Sequence, residues 1–550
     1  MTNRRDFLKN GSLAAIAASG LLPQLLRAEG FATRIDATPR AGDSDLRALA
    51  MRALDAAKAA GASYADVRLT VTRTQAFYYA NPPVDSEEIA VGVRALANGA
   101  WGFTASPEWT PDVLSRLGHE AAAQAKGNAW PGRAAIELAA RPAAGEGTWR
   151  MPVQRDPFSV SVEEKLDYIR SAEAYARTFR NGSASSIIIF DRQESTFAST
   201  DGAFYTQTIY NSLGHGSFFS VSASDPVKPI GAGRAAPMIS PTGAGYEVFV
   251  DADLLAQVPK LYEQARELLL AKPLEAPSRY DVVFDAHAMA GIIDGTFGPA
   301  LELDRALGLE ANASGTSYLA PIDKILGSSV GSPLVTLTGD RAMAGGAATV
   351  QWDADGVAPS TFKLIDKGVA VDYATSRDHA PTLADWYKSK GRTMGSNGCA
   401  TAEDGMSVPC VQAPNLTLEP AANNRSFQDL VSGIDDGLAV IGGNVMMDQQ
   451  QLNGQGLGEM VYRIRKGKIT GTVSSIAYLF RAPEFWKNLV ALGGASTADT
   501  RGMTVHKGQP RQETVHTVKA VAAHFKNVPV SIISTERRRG PGATINMGAE

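Results

Sequence analysis

Seven histidines, two cysteines and two glycine-framed motifs are where chemistry could start in this chain. The histidines are His119, His215, His287, His379, His506, His516 and His524, and none stands in a His-x-x-x-His spacing. No two of them therefore sit one helical turn apart to share a metal. Gly327-Ser-Ser-Val-Gly331 fits the Gly-x-Ser-x-Gly pattern of serine hydrolases. That pattern exposes its serine only on a sharp turn from a strand into a helix. Here the following Ser332–Thr338 reads as a strand, so the motif is read as a plain turn. Gly454-Gln-Gly-Leu-Gly458 would cradle phosphate if a helix followed, but it runs into the strand-like Met460–Ile464. Cys399 and Cys410 lie in a loop rich in Gly, Ser and Asn. A disulfide there would close a loop of about 12 residues and contribute roughly 3 kcal/mol. The other reading is two free thiols; two cysteines do not complete a zinc shell.

The amino terminus carries an address rather than a site. Arg4 and Arg5 precede Phe7-Leu8-Lys9, and an apolar run, Leu13–Leu22, follows. This is the pattern of a twin-arginine export signal over residues 1–30, with Ala28 a candidate cleavage point. It places the mature chain in the periplasm or beyond, where a disulfide would persist. No later run of about 18 apolar residues exists, so no membrane span is expected in the mature chain.

The elements that would position such residues can be read from composition and periodicity. The 550 residues are 44% hydrophobic and 20% charged, which is enough to build several buried cores. A net charge of −4 points to neither nucleic acid nor an anionic membrane as partner. The 53 glycines and 29 prolines favour strands and turns over a helical bundle. Helical spacing marks Ser44–Ala60, Pro111–Ala125, Ser161–Arg180, Asp251–Leu270, Ala286–Asp294 and Phe427–Asp435. Tyr64–Tyr79 reads as a strand pair, and Ile89–Phe103 as a hairpin turning at Asn98-Gly99. Ser185–Ser222 reads as an antiparallel sheet with one wetter face. Composition breaks near Arg141–Gly147 and Ala271–Arg279. The expected organisation is α+β, with an N-terminal domain over 44–145, a central domain over 150–270 and a strand-rich antiparallel C-terminal domain over 280–540.

Several segments, in order, resemble the TldD/PmbA metallopeptidase family (modulator of DNA gyrase family). They are Gly61–Arg68 (GASYADVR), Val91–Phe103, the helix-bearing Val282–Asp304, Trp352–Pro359 (WDADGVAP), Leu364–Val369, Pro409–Leu416, Tyr462–Ile469 and Gly502–Pro510 (GMTVHKGQP). The resemblance implies a TldD/PmbA-like fold and a zinc peptidase scaffold. Active members hold zinc through the two histidines of a His-Glu-x-x-x-His helix and a C-terminal cysteine, with the glutamate as general base. Such a site needs three protein ligands and one open position for water. Carried onto this chain, Asp294 stands for the first histidine, Gly295 for the glutamate, Pro299 for the second histidine and Val505 for the cysteine. All three ligands and the base are lost, so no catalytic residue and no zinc cofactor are expected. Asp294 and His506 are the weak candidates for a replacement metal site, while Glu302 and Asp304 are read as partners of Arg305 or of backbone amides.

Three functions follow from the resemblance. The first is the non-catalytic subunit of a heteromeric peptidase, paired with a TldD-like subunit that keeps its His-Glu-x-x-x-His and acting on unfolded peptides. The second is an active zinc metallopeptidase with an unusual site. The third is a periplasmic peptide-binding scaffold.

Overall fold

The computed structural model describes residues 43–533, apart from 79–80, 133, 141–144, 185, 216–218, 224–229, 236–238 and 475. The twin-arginine segment with Arg4 and Arg5 lies outside the described residues. Among the described residues no helix is long and apolar enough to cross a membrane.

The amino-terminal half is built on one sheet. Helix α1 (Asp43–Ala59) leads through Gly61, in the left-handed region at φ +87°, into strand β1 (Tyr64–Tyr78). Strands β2 (Val84–Ala97) and β3 (Ala100–Ser106) form the expected hairpin, with Asn98 and Gly99 both at positive φ, as its tight turn requires. Helix α2 (Pro111–Asn128) starts at the Thr110 cap and crosses α1 so closely that a Cβ on Gly118 would meet the Ala53 carbonyl. After β4 (Glu146–Arg150) and α3 (Val162–Ala176) come β5 (Ile187–Ser199), β6 (Phe204–His215) and β7 (Ile239–Thr242). The order across the sheet is β7-β6-β5-β1-β2-β3, with β4 alongside β6. Two expectations are corrected. Tyr64–Tyr78 is one long strand and not a pair. The break near Arg141–Gly147 does not separate two folding units, because β1 of the first stretch pairs with β5 of the second through thirteen registered residues. Propensity marks where strands start, but cross-strand pairing between distant segments leaves no local mark.

The two faces of this sheet differ because successive side chains alternate. Val67, Leu69, Val91 and Val93 pack under α1 and α2. Phe77, Ile188 and Phe190 pack under Ile169 of α3. The opposite face carries Thr70, Thr72, Thr74, Asp191, Gln193 and Asn211, the wetter face that the composition implied.

Helix α4 (Leu254–Leu270) leads to the carboxy-terminal half. Strand β8 (Ser278–Phe284) enters the centre of a ten-stranded sheet and is followed at once by α5 (Ala286–Gly295), capped by the Asp285 carboxylate at the Ala288 amide. Five further strands of this sheet are β10 (Asp436–Ile441), β11 (Asn444–Met447), β12 (Asn453–Leu457), β13 (Met460–Arg465) and β14 (Ile476–Arg481). A six-stranded sheet includes β9 (Asn415–Leu418), β15 (Asp499–Lys507) and β16 (Gln512–Ala520); β17 (Ala523–Ile532) returns to pair with β8. Helix α5 lies between the two sheets, touching β15 and β16 on one side and β11 on the other. This explains why Ala288, Met289, Ala290, Ile292 and Ile293 are all buried.

Smaller expectations shift. Ser332–Thr338 is largely turn, with strand only from Leu337. Gly454–Gly458 lies mostly within β12 and does not precede it. Phe427–Ser432 is shorter than the helix expected there, but carries a full capping box from Ser426 and Asp429. The expected disulfide is absent: Cys399 and Cys410 are both free thiols. The strand register sets Thr401 opposite Cys410, while the Cys399 carbonyl takes the Gln412 amide, so the two cysteines are not partners across the ladder. Burial pushes each thiol up to about 12.

Candidate functional site

The last turn of α5, with Asp294 and Gly295, packs against the β15–β16 hairpin that carries Val505. Met503 faces His516 across the hairpin and Val505 faces Thr514. Because opposed residues share a face, His516 and Val505 lie on the same side, under α5. Asp294 closes onto that side: its Oδ1 accepts a 2.7 Å hydrogen bond from Nε2 of His516. The other ring nitrogen of His516 lies 3.0 Å from the carbonyl of Pro414. Both nitrogens thus face acceptors, an arrangement only the doubly protonated ring satisfies. Burial opposes that charge, but the Asp294 carboxylate and the Pro414 carbonyl outweigh it, and the His516 pKa is raised.

The neighbouring position is closely packed. A Cβ on Gly295 would lie 2.9 Å from Cγ1 of Val445 and 3.3 Å from Cγ of Met447, both from β11. Past α5, Thr296 donates to the Ile292 carbonyl and accepts from the Trp486 indole at 3.1 Å, while Phe297 stacks on Trp486 at 4.3 Å. These contacts anchor the turn carrying Pro299.

The carboxylates nearby are already engaged. Lys507, fully buried, donates 2.7 Å hydrogen bonds to Oε2 of Glu302 and Oδ1 of Asp304, and a third to the Val411 carbonyl. Arg305 adds a 2.7 Å bond to Glu302, and the amides of Ala413 and Val411 take the remaining oxygens. Burial works against every charge in this group. At Glu302, Lys507 and Arg305 prevail and hold the carboxyl below its usual range, whereas at Asp304 burial prevails and the carboxyl is raised. Both residues are therefore partners of cations and amides, as expected.

One expectation fails. Asp294 and His506 do not meet. His506 is the strand neighbour of Val505 and points to the other side of β15, beside Glu513, with Nδ1 3.6 Å from Oε2. Burial and then Arg511 push its pKa down to about 4, so its ring is neutral. The partner of Asp294 is His516, which spacing rules had passed over. Strand parity could have found it, since a residue next to Val505 cannot share its face.

Zinc does not fit what is present. Gly295, Pro299 and Val505 offer no ligand atom. Both nitrogens of His516 are engaged, by Asp294 and by Pro414, and a Cβ at 295 would crowd Val445 and Met447. Among the described residues no group of three His, Cys, Asp or Glu side chains is placed to hold a metal.

A family description fits this same region. Residues 277–517 match the PmbA/TldA metallopeptidase C-terminal domain. They form a PmbA/TldD-family metallopeptidase-like domain. The chain is also similar to a protein named Metalloprotease from Methanothermobacter thermautotrophicus, 26% identical over 444 residues, covering 78% of this chain and 88% of that one. Its fold matches a putative modulator of a DNA gyrase from Thermotoga maritima with a TM-score of 0.67 at 15% identity, covering 88% of this chain and 100% of that one. It matches TldE from Thermococcus kodakarensis with a TM-score of 0.64 at 14% identity, covering 87% and 98%. The α+β architecture, rich in antiparallel sheets, is thus that of the TldD/PmbA fold neighbours, and the relatives support a peptidase-like protein at family level.

Proposed function

We propose that this chain is a non-hydrolytic member of a metallopeptidase-type assembly, exported through the twin-arginine route and paired with a subunit that keeps an intact His-Glu-x-x-x-His helix. The observation that carries the reading is the packing at Gly295. The position of the general base has no side chain, and the space that one would need is occupied by Val445 and Met447. The ion pair of Asp294 with His516 supports it further, because it converts two ligand-type side chains into a structural contact. In this reading the chain contributes wall and peptide contacts, and its partner contributes zinc.

The experiment is zinc content and peptide hydrolysis of the mature chain purified alone after zinc loading. The expected result is no stoichiometric zinc and no hydrolysis, with hydrolysis appearing only when an intact relative is added. Near one zinc per chain, or hydrolysis by the chain alone, overturns the proposal.

A further inference from the structure

A cleft of about 370 Å³ lies on the other side of the β15–β16 hairpin from Asp294 and His516, between the wetter face of the first sheet and the carboxy-terminal strands. Its volume is in the range of small-molecule sites. Across its floor Thr74, Asp191 and Asn211 form one cross-strand row: Thr74 pairs with Asp191 on β1 and β5, and Asp191 pairs with Asn211 on β5 and β6.

The row is charged on one side only. Asp191 accepts a single side-chain hydrogen bond, 2.6 Å from the Thr74 hydroxyl. Beside it, Oδ1 of Asn211 is buried and has no hydrogen-bond partner. The charges felt by Asp191 are those of Glu403 and Glu88, both repulsive, and burial first and then these carboxylates push it up to about 6. Of the three arginines on the cleft wall, Arg511 is not among the charges acting on Asp191, and the other two are turned elsewhere. Arg341 donates to the Ala348 and Ala400 carbonyls and to Thr401. Arg68 donates to Asp66 and to the Ser407 carbonyl. A carboxylate in a cleft with no counter-cation is costly unless something supplies one. The three oxygen-bearing side chains of the row fall short of the about six to eight oxygens of a calcium shell. They do suit the N–H bonds of an ammonium, with the second lone pair of the Thr74 hydroxyl as a third acceptor. Ile189 and Ile209, on the same face, offer apolar surface to the carbon chain behind such a group.

We infer that this cleft binds a primary alkylammonium, held by the Asp191 carboxylate and the Asn211 side-chain carbonyl. The inference is independent of whether the chain hydrolyses anything. A peptide amino terminus and a lysine side chain share this chemistry, and the probes separate them.

The test is calorimetric titration of the full chain with trialanine amide, its N-acetylated form, and Nα-acetyl-lysine amide. Binding of either free amine is expected, with the acetylated trialanine silent. Whichever amine binds names the source. In Asp191→Asn that binding should fall by about tenfold or more, as loss of a charge-assisted contact requires. Its Tm should hold or rise, because an uncompensated carboxylate is removed. Asn211→Leu, which keeps the charge, should weaken binding less. No binding of either amine at millimolar concentration overturns the inference. So does equal binding of the acetylated peptide, or binding that survives Asp191→Asn.

Discussion

Asp294 is held in a structural contact at the end of α5. Its carboxylate neutralises the His516 imidazolium, whose pKa is raised despite burial because Asp294 and the Pro414 carbonyl face its two nitrogens. A histidine with a raised folded pKa contributes stability that is complete below its unfolded pKa of about 6.5 and fades as pH rises through the folded value. Asp294→Asn removes the negative partner but keeps an oxygen acceptor. It should lower the His516 pKa, read from its imidazole resonances by NMR, and cost about 1–3 kcal/mol near pH 6. The penalty should shrink above the wild-type folded pKa, where the ring is neutral in both proteins. Denaturant unfolding at the two pH values checks the sign, and an equal loss at both would show that the ring is not charged in the fold.

The same logic holds for α5 as an element. It is buried between two sheets, and at its end Val445 and Met447 of β11 close over Gly295. Gly295→Glu should therefore overpack the contact and destabilise by about 1–3 kcal/mol without conferring hydrolysis. Combining it with Val445→Ala should recover part of that loss, a coupling that a double-mutant cycle of thermal or denaturant unfolding measures. Simple additivity would mean that β11 does not set the constraint. This contact also marks the limit of what the sequence made legible. The residue types at Asp294, Gly295, Pro299 and Val505 are visible by position, and the Asn98-Gly99 turn and the helical spacing of α2 and α5 are local signals. The filling of the site by β11, which is some 150 residues away, was not, because it depends on packing across a sheet. The His516 partnership was hidden for a related reason: spacing rules look for histidines one helical turn apart, whereas this contact joins a helix to a hairpin. The row of Thr74, Asp191 and Asn211 combines both difficulties, drawing one residue from each of three strands.

At the scale of the whole molecule, buried charge joins the two halves beyond the segment that connects them. Arg94 of β2 donates 2.7 Å to Asp66 and 2.6 Å to Asp355, and all three side chains are almost wholly buried. Asp355 belongs to the Trp352–Pro359 turn of the carboxy-terminal half, where Gly356 at φ +73° lets the chain reverse and Asp353 accepts the amides of Asp355 and Val357. The other oxygen of Asp355 takes the Arg377 amide, and the Arg377 guanidinium reaches Tyr64 and Asp201 in the first half. A segment that resembled a family landmark in sequence is thus the weld between the first sheet and the metallopeptidase-like domain. Asp355→Ala leaves Arg94 short of one buried partner and the Arg377 amide without its acceptor, and breaking such a pair costs about 3–5 kcal/mol. Because the contact with Arg94 crosses between halves, much of the cost should fall on their docking. Calorimetry of the wild-type chain is expected to show one cooperative transition, and Asp355→Ala should split it into two, one for each half. Arg73→Ala supplies the control: its pair with Asp85 is largely exposed and lies within the first sheet, so its loss should change stability by only about 0–1 kcal/mol and leave the transition single. If Asp355→Ala merely shifts one transition downward, the halves are held together by their apolar contacts, and the charge network is a consequence of docking rather than its cause.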